Sequence, residues 1–312
     1  MAGNRFRRRS LPAGLLVFFL ILSAARAPAL RVAVIQLAAA SGEAEIEGAV
    51  QWAGLRGCDL AIFPEYAGVF LALAPWQRVL EGSPGIQDAI ARIRAADPRV
   101  GSIRDFLLLV ACESETRVAG IFGGLARRYG IAIVAGTTFA RAAAADGRDE
   151  LRNRAFLFDG EGTLIRVQDK VWLSEFETGV LGISPGRPDR VTPIRIGDAL
   201  VGVTICRDTF SPEWESVFRG ADLWIDLKAN GAPFTEEERR GFARALPARL
   251  PGAGVRCGVT ACLVGSFLDL AWEGESSVIQ LEGGAVETIA RSPSASAAGV
   301  LLFDLPPDSG AP

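Results

Sequence analysis

Leu200-Val201-Gly202-Val203-Thr204-Ile205-Cys206-Arg207-Asp208 decides the reading of this chain. A short, mostly apolar run of this kind reads as a buried strand. Cys206 stands where that strand gives way to a loop and a helix start. In open α/β sheets, ligands gather outside the carboxyl ends of the strands, so a thiol here has a nucleophile's position. The chain contains no histidine. A base that activates Cys206 therefore has to be a carboxylate.

Two other residues share that setting. Asp59-Leu60-Ala61-Ile62-Phe63 reads as a second buried strand, closed by Pro64 and followed by Glu65 and Tyr66. Lys170 lies just past a third strand, in Val167-Gln168-Asp169-Lys170-Val171-Trp172-Leu173. Nearly all basic residues are arginine, and Lys170 and Lys228 are the only lysines. Lysine is a compact charge whose pKa moves readily on burial, a role arginine does not fill. If the three meet, each has work to do. A free thiol titrates near about 8.5, so little thiolate exists at neutral pH. Glu65 can accept the thiol proton, and Lys170 can stabilise the thiolate and a developing oxyanion. Taken singly, each has an ordinary reading as well: a core cysteine, a loop glutamate after proline, a surface lysine.

The rest of the chain alternates apolar strands and amphipathic helices. Arg31–Leu37 reads as a strand, Glu43–Gly57 as a helix, and Thr116–Tyr129 as a helix stopped by Gly130 before the strand Ile131–Ala135. Val69–Val118, with Pro75, Pro84 and Pro98, reads as helices broken by prolines, either a cover over a site or a surface elaboration. Three hairpins follow, turning at Asp159-Gly160, Gly197-Asp198 and Gly283-Gly284. Ser211-Pro212 opens a helix through Phe218. Leu223–Leu227 is a strand, Thr235 and Glu238 form a capping box for a helix to about Leu246, and Val255–Leu263 is a further strand. No linker or repeat interrupts residues 30–305, which read as one domain of mixed sheets with helices outside. Residues 306–312 read as a disordered tail.

The 312 residues are 49% hydrophobic and 22% charged, enough for one large core. Arg5, Arg7, Arg8 and Arg9 precede an uncharged apolar run, Leu11–Ala25, and the small residues Ala27-Pro28-Ala29. Residues 1–29 read as a secretory signal, or as a short membrane anchor if they are retained. The run is shorter than the roughly 20 residues of a full span. Arg8-Arg9 before Ser10-Leu11 also fits twin-arginine export. The expectation is an exported protein, periplasmic or extracellular, tethered to the membrane if the segment is retained. Without the five arginines of that segment the net charge moves from −3 to −8. So acidic a domain is a poor partner for nucleic acid or anionic membranes, which leaves a small molecule. Cys58, Cys112, Cys206, Cys257 and Cys262 lack zinc-ribbon spacing, and no metal or cofactor is implied. Four could pair and leave Cys206 free, or all five could be buried thiols.

Ile62-Phe63-Pro64-Glu65-Tyr66, Asp169-Lys170-Val171-Trp172-Leu173 and Gly202–Asp208 resemble, in order, the three catalytic blocks of the nitrilase (carbon–nitrogen hydrolase) superfamily. Supporting segments also match in kind: Asn153-Arg154-Ala155-Phe156, Ser184-Pro185-Gly186, Arg219-Gly220-Ala221-Asp222 and Trp272–Ser277. The resemblance spans roughly residues 31–290 and implies a four-layer α-β-β-α sandwich. It implies Glu65 as base, Lys170 as electrophilic stabiliser, Cys206 as nucleophile and the Arg207 N–H as a second oxyanion donor. A further glutamate commonly follows the lysine; Glu177 fills that place, with Glu175 the alternative. Tyr66 and Trp172 are candidates for the substrate pocket. Arg207-Asp208 resembles the amidase and carbamoylase branches rather than true nitrilases. The implied activity is hydrolysis of a linear amide or carbamoyl group, and the resemblance favours dimers. Two other classes stay open: an acyltransferase resembling apolipoprotein N-acyltransferase, and a catalytically silent binding domain.

Overall fold

The computed structural model describes residues 30–144 and 146–306. The proposed signal or anchor and the end of the expected tail lie outside these residues. The first half runs β1 (Leu30–Ala38), α1 (Glu43–Gly54), β2 (Leu60–Ile62), α2 (Ala67–Leu73), α3 (Gln77–Leu80), α4 (Ile86–Ala96), α5 (Ile103–Tyr129), β3 (Ala132–Ala143), β4 (Asp149–Phe158) and β5 (Leu164–Asp169). The second runs β6 (Ile194–Ile196), β7 (Ala199–Ile205), α6 (Trp214–Val217), β8 (Leu223–Lys228), α7 (Glu236–Ala243), α8 (Leu246–Ala253), β9 (Cys257–Phe267), β10 (Leu270–Trp272), β11 (Ser277–Glu282) and β12 (Ala285–Arg291). β13 (Gly299–Leu305) then returns to pair antiparallel with β1.

One sheet has the order β13-β1-β2-β3-β4-β5, with β1, β2 and β3 parallel. The other has the order β6-β7-β8-β9-β11-β12, with β7, β8 and β9 parallel. Backbone pairing joins them where Leu37 and Ala38 at the end of β1 pair with Leu263 and Val264 of β9. Successive strand residues face opposite sides, and the core follows that alternation. Val32, Val34, Leu60 and Ile62 point inward against Val201, Val203, Ile225 and Leu227 of the second sheet. Ala33, Ile35 and Phe63 point outward against Ile46 and Val50 of α1 and Phe122 of α5. On the far side Trp224 of β8 packs against Trp214, Phe218, Leu246 and Leu250 from α6, its C-cap and α8. Helices therefore cover both outer faces of a double sheet, the expected α-β-β-α sandwich. Both faces of each sheet are buried, which is why these strands read as continuous apolar runs.

Several local expectations change. The helix expected from Thr116 begins at Ile103 and runs for 27 residues, because Ser102 accepts the Asp105 N–H and caps it there. The apolar run Phe106–Val110 is its buried face. The prolines act as expected: Pro75 sits in a 3₁₀ turn, Pro84 separates α3 from α4, and Pro98 separates α4 from α5. The turn at Asp159-Gly160 is a five-residue loop, since Asp159 Oδ1 accepts from Glu161 N and Thr163 N. Ser211 does not cap a helix; its N–H closes a 3₁₀ turn onto Asp208, and α6 starts later, at Trp214. The helix expected to reach Leu246 stops at Ala243, and α8 starts afresh at Leu246 with Pro247 in its first turn. The five cysteines are free: Cys58, Cys257 and Cys262 are buried and Cys112 is exposed. Among the described residues no helix is long and apolar enough to cross a membrane.

Candidate active site

Glu65 and Cys206 follow β2 and β7, one on each sheet, at the same end of the sandwich. The backbone bends sharply beside both. Tyr66 has φ 64° and Cys206 has φ 52°, values that cost a non-glycine residue free energy and persist only where packing imposes them. The turn at Glu65 is possible because β3 bulges past it at Gly136, φ 68°. A Cβ there would sit 1.9 Å from the Pro64 carbonyl oxygen. Thr137, just beyond, accepts the Tyr66 N–H at 2.9 Å. Lys170 follows β5, where its N–H donates to the Asn153 carbonyl of β4 and its own carbonyl accepts from Gly186 N.

These side chains meet in one buried cluster. Lys170 Nζ donates to Glu65 Oε1 at 2.8 Å and to Glu177 Oε1 and Oε2 at 2.9 and 2.8 Å. Asn153 Nδ2 lies between the same carboxylates, 2.8 Å from Glu65 and 3.1 Å from Glu177. Ala229 N, just past β8 of the opposite sheet, donates to Glu65 Oε2 at 3.0 Å. Glu177 also accepts from the Tyr66 hydroxyl at 3.0 Å and from Ser174 N at 2.8 Å. It is delivered by a wide turn, Phe176–Val180, closed by Leu181 N donating to Phe176 O. Such five-residue turns recur where a side chain must be re-aimed. Of the two glutamates offered by the sequence, Glu177 joins the cluster and Glu175 is exposed.

Asp208 ties the lysine loop to the cysteine turn. Its carboxylate accepts from Trp172 N at 2.6 Å, Val171 N at 3.1 Å and Ile205 N at 3.3 Å. Tyr66 lines the cavity beside the cluster, as do Cys206 and Arg207. Trp172 corrects the expectation for it: it does not line that cavity. Its ring is exposed and its Nε1 donates to Glu213 at 2.9 Å, because Asp208 holds the Trp172 backbone with the ring outward.

The electrostatics follow from burial and these contacts. Burial, reinforced by the Glu177 charge, raises the Glu65 pKa above the ordinary carboxylate value despite the Lys170 ammonium. Burial pulls Lys170 down, but Glu65, Cys206 and Glu177 outweigh it, so the ammonium keeps its proton. Glu177 is held below the ordinary range: burial would raise it, but Lys170 and the Ser174 and Asn153 hydrogen bonds prevail. Burial and the Glu65 charge push the Cys206 thiol up to about 12, so it rests protonated. Burial also lifts Asp208 to about 7 against the backbone N–H groups it binds.

A second buried ion pair lies under the thiol. Lys228 Nζ is 2.9 Å from Asp226 Oδ2, with both side chains inside. Its ammonium also lies 4.8 Å from the Phe242 ring centroid and 5.3 Å from that of Phe210. β7 and β8 pair Ile205 with Leu227, which places Lys228 beside Cys206, and its charge lowers the thiol pKa.

A model of the carbon–nitrogen hydrolase family matches residues 31–234. The chain belongs to that family. Membership makes it a carbon–nitrogen hydrolase. The crystal structure of an amidase from Nesterenkonia sp. is 22% identical, with a TM-score of 0.61 over 90% of this chain and 92% of that one. A cysteine-to-alanine form of the Nesterenkonia sp. AN1 amidase holding butyramide is 21% identical, with a TM-score of 0.59 over 90% and 92%. A glutamate-to-glutamine form of it, with acrylamide added to the active-site cysteine, is 22% identical, with a TM-score of 0.59 over 89% and 93%. At this identity the likeness is one of fold. No curated protein matches the chain.

Proposed function

We propose that this carbon–nitrogen hydrolase cleaves a linear amide or carbamoyl C–N bond through a thioester on Cys206. The observation that carries the reading is the buried Glu65–Lys170–Glu177 cluster, opening into the same cavity as Cys206. In acylation Glu65 takes the thiol proton while sulfur attacks the carbonyl carbon. The carbonyl π electrons move to oxygen. Lys170 stabilises that oxyanion together with the Arg207 backbone N–H, in the first turn after the nucleophile. As the oxyanion collapses, the C–N bond breaks. The leaving nitrogen carries away the proton held by Glu65. Water then attacks the thioester, Glu65 takes its proton, and the carboxylic acid leaves as the thiol is restored. Glu177 and Asn153 act through the others: they hold Lys170 and Glu65 in place.

The raised thiol and raised carboxylate belong together in this scheme. A thiol that rests protonated needs a base, and a base with an elevated pKa returns the proton to the leaving amine. The test compares Cys206→Ala and Glu65→Gln for amine release from a small-amide panel. Cys206→Ala is expected to abolish turnover. Glu65→Gln is expected to slow both amine release and thioester formation by about 10²–10⁴-fold. Turnover surviving in Cys206→Ala overturns the reading. An amine acceptor that raises product yield instead would point to acyl transfer. Residues 1–29 remain proposed as an export segment; a mature protein outside the cytoplasm that begins near Leu30 supports cleavage.

A further inference from the structure

The cluster occupies one end of a cavity of about 590 Å³, within the range that encloses a sizeable organic ligand. Most of the rest of the cavity wall is apolar, with Ser174, Arg207, Asn230 and Asp269 the polar exceptions. Its walls come from the α2–α5 segment and the β9–β10 hairpin: Phe70 of α2, Ile90 and Ile93 of α4, Leu107 of α5, Phe139 of β3 and Leu268 of the hairpin turn. The segment is pinned to the hairpin where Asp269 Oδ1 accepts the Ile86 N–H at 3.0 Å, so this polar wall group already has a partner. Asn230 is engaged as well, donating to Ala232 O and Glu273 O at 2.9 and 3.1 Å. Beside the cluster, Phe176 next to Glu177 and Phe210 against Lys228 are 36% and 43% exposed while still lining the cavity, an apolar rim in contact with water.

An acetamide-sized substrate would contact the cluster and leave most of this chamber to water. An apolar chain would displace that water from surfaces that offer it few partners. The two halves of an amide also differ in fate. The amine leaves after the first step, whereas the acyl half stays on sulfur through both steps. A chamber that begins at the nucleophile serves the half that stays.

We infer that the substrate is an amide of a medium-to-long aliphatic acid, with its acyl chain in the chamber walled by α2, α4, α5 and the β9–β10 hairpin. This rests on the hydrolase reading above and adds the substrate class to it. Each buried methylene contributes about 0.8 kcal/mol, roughly a fourfold step in affinity.

The test measures binding of primary amides from butanamide to decanamide to Cys206→Ala by calorimetry, and hydrolysis of the same series by the wild type. Affinity for Cys206→Ala and wild-type kcat/KM are both expected to rise with acyl length, by on the order of a hundredfold across the series after allowing for ordering costs. Lengthening an N-alkyl group instead is expected to give little. Ile90→Trp, at a half-buried wall position, is expected to cut the decanamide-to-butanamide affinity ratio at least tenfold. A flat or falling profile with butanamide still hydrolysed overturns the substrate class and leaves the hydrolase standing. So does a gain confined to the N-alkyl side, or a ratio that Ile90→Trp does not move. Tight decanamide binding with no amide hydrolysed overturns both readings.

Discussion

Replacing Lys170 with Met removes the one ammonium that lies between two buried carboxylates. Lys170, Glu65 and Glu177 are 3%, 1% and 2% exposed, so solvent cannot take over its role. The carboxylates share more than the lysine, since Asn153 Nδ2 lies within 3.1 Å of an oxygen on each. Two carboxylates that close cannot both stay ionised without a cation, and one takes up a proton. Breaking a buried pair by removing one partner costs about 3–5 kcal/mol. The same penalty shows as a pKa raised above the ordinary carboxylate value for the carboxylate that takes up the proton in the variant. The sign of the pH dependence follows. A carboxylate whose folded pKa exceeds its unfolded value, about 4.3 for Glu, binds a proton in the folded state that the unfolded state has released. Stability then falls as pH rises through that interval. Relative to wild type, Lys170→Met is therefore expected to be nearly as stable at pH 5, apart from a small packing loss. At pH 8 it is expected to be weaker by about 3–5 kcal/mol. Urea unfolding followed by tryptophan fluorescence at pH 5, 6.5 and 8 measures this, with m checked for constancy. A penalty that is the same at all three pH values, or below about 1 kcal/mol at pH 8, refutes the shared-charge account.

Three further outcomes follow from the same contacts. The acid limb of the kcat/KM profile reports Glu65, so its midpoint is expected above the ordinary carboxylate value, where burial has moved that group. Glu177→Gln removes a charge that raises Glu65 and is expected to move this limb to lower pH; a limb that stays put or rises contradicts the assignment. Lys228→Met leaves Asp226 buried and unpaired, and is expected to destabilise by about 3–5 kcal/mol, while Lys228→Met with Asp226→Asn recovers most of that loss. Without the Lys228 charge the Cys206 thiol pKa is expected to rise, and the thiol to react more slowly with iodoacetamide at pH 8. An unchanged rate in Lys228→Met would remove Lys228 from the account.

Glu65, Lys170 and Cys206 were legible because each follows a strand, and the carboxyl ends of β2, β5 and β7 lie at one end of the two packed sheets whatever the intervening sequence. Glu177 was legible only as a choice of two, since which glutamate turns inward depends on the wide turn Phe176–Val180, and no periodicity announces such a turn. Asn153 falls in a segment that matches the family in kind, but its role is hidden in the sequence: a polar residue in a strand reads as a solvent-facing position, and only the second sheet above it makes that face an interior. Lys228 stood out as one of two lysines, yet its partner Asp226 looked like a single polar break in an otherwise apolar strand. Trp172 misled because its place beside Lys170 says nothing about which way the loop turns its ring; the Asp208 carboxylate decides that from 36 residues away. α5 was half missed, because its cap at Ser102 lies in a stretch crowded with prolines and glycines. β13 pairs with β1 across nearly the whole sequence, a contact that no local pattern encodes.

Rapid quenching of the wild type with an excess of amide, followed by intact-protein and peptide mass measurement, tests the central claim most directly. The account predicts one acyl group per chain, bound as a hydroxylamine-sensitive thioester on Cys206. It should appear as fast as the first equivalent of amine is released, and be absent in Cys206→Ala. Amine release with no adduct, or an adduct on Cys58, Cys112, Cys257 or Cys262 that persists in Cys206→Ala, would contradict it.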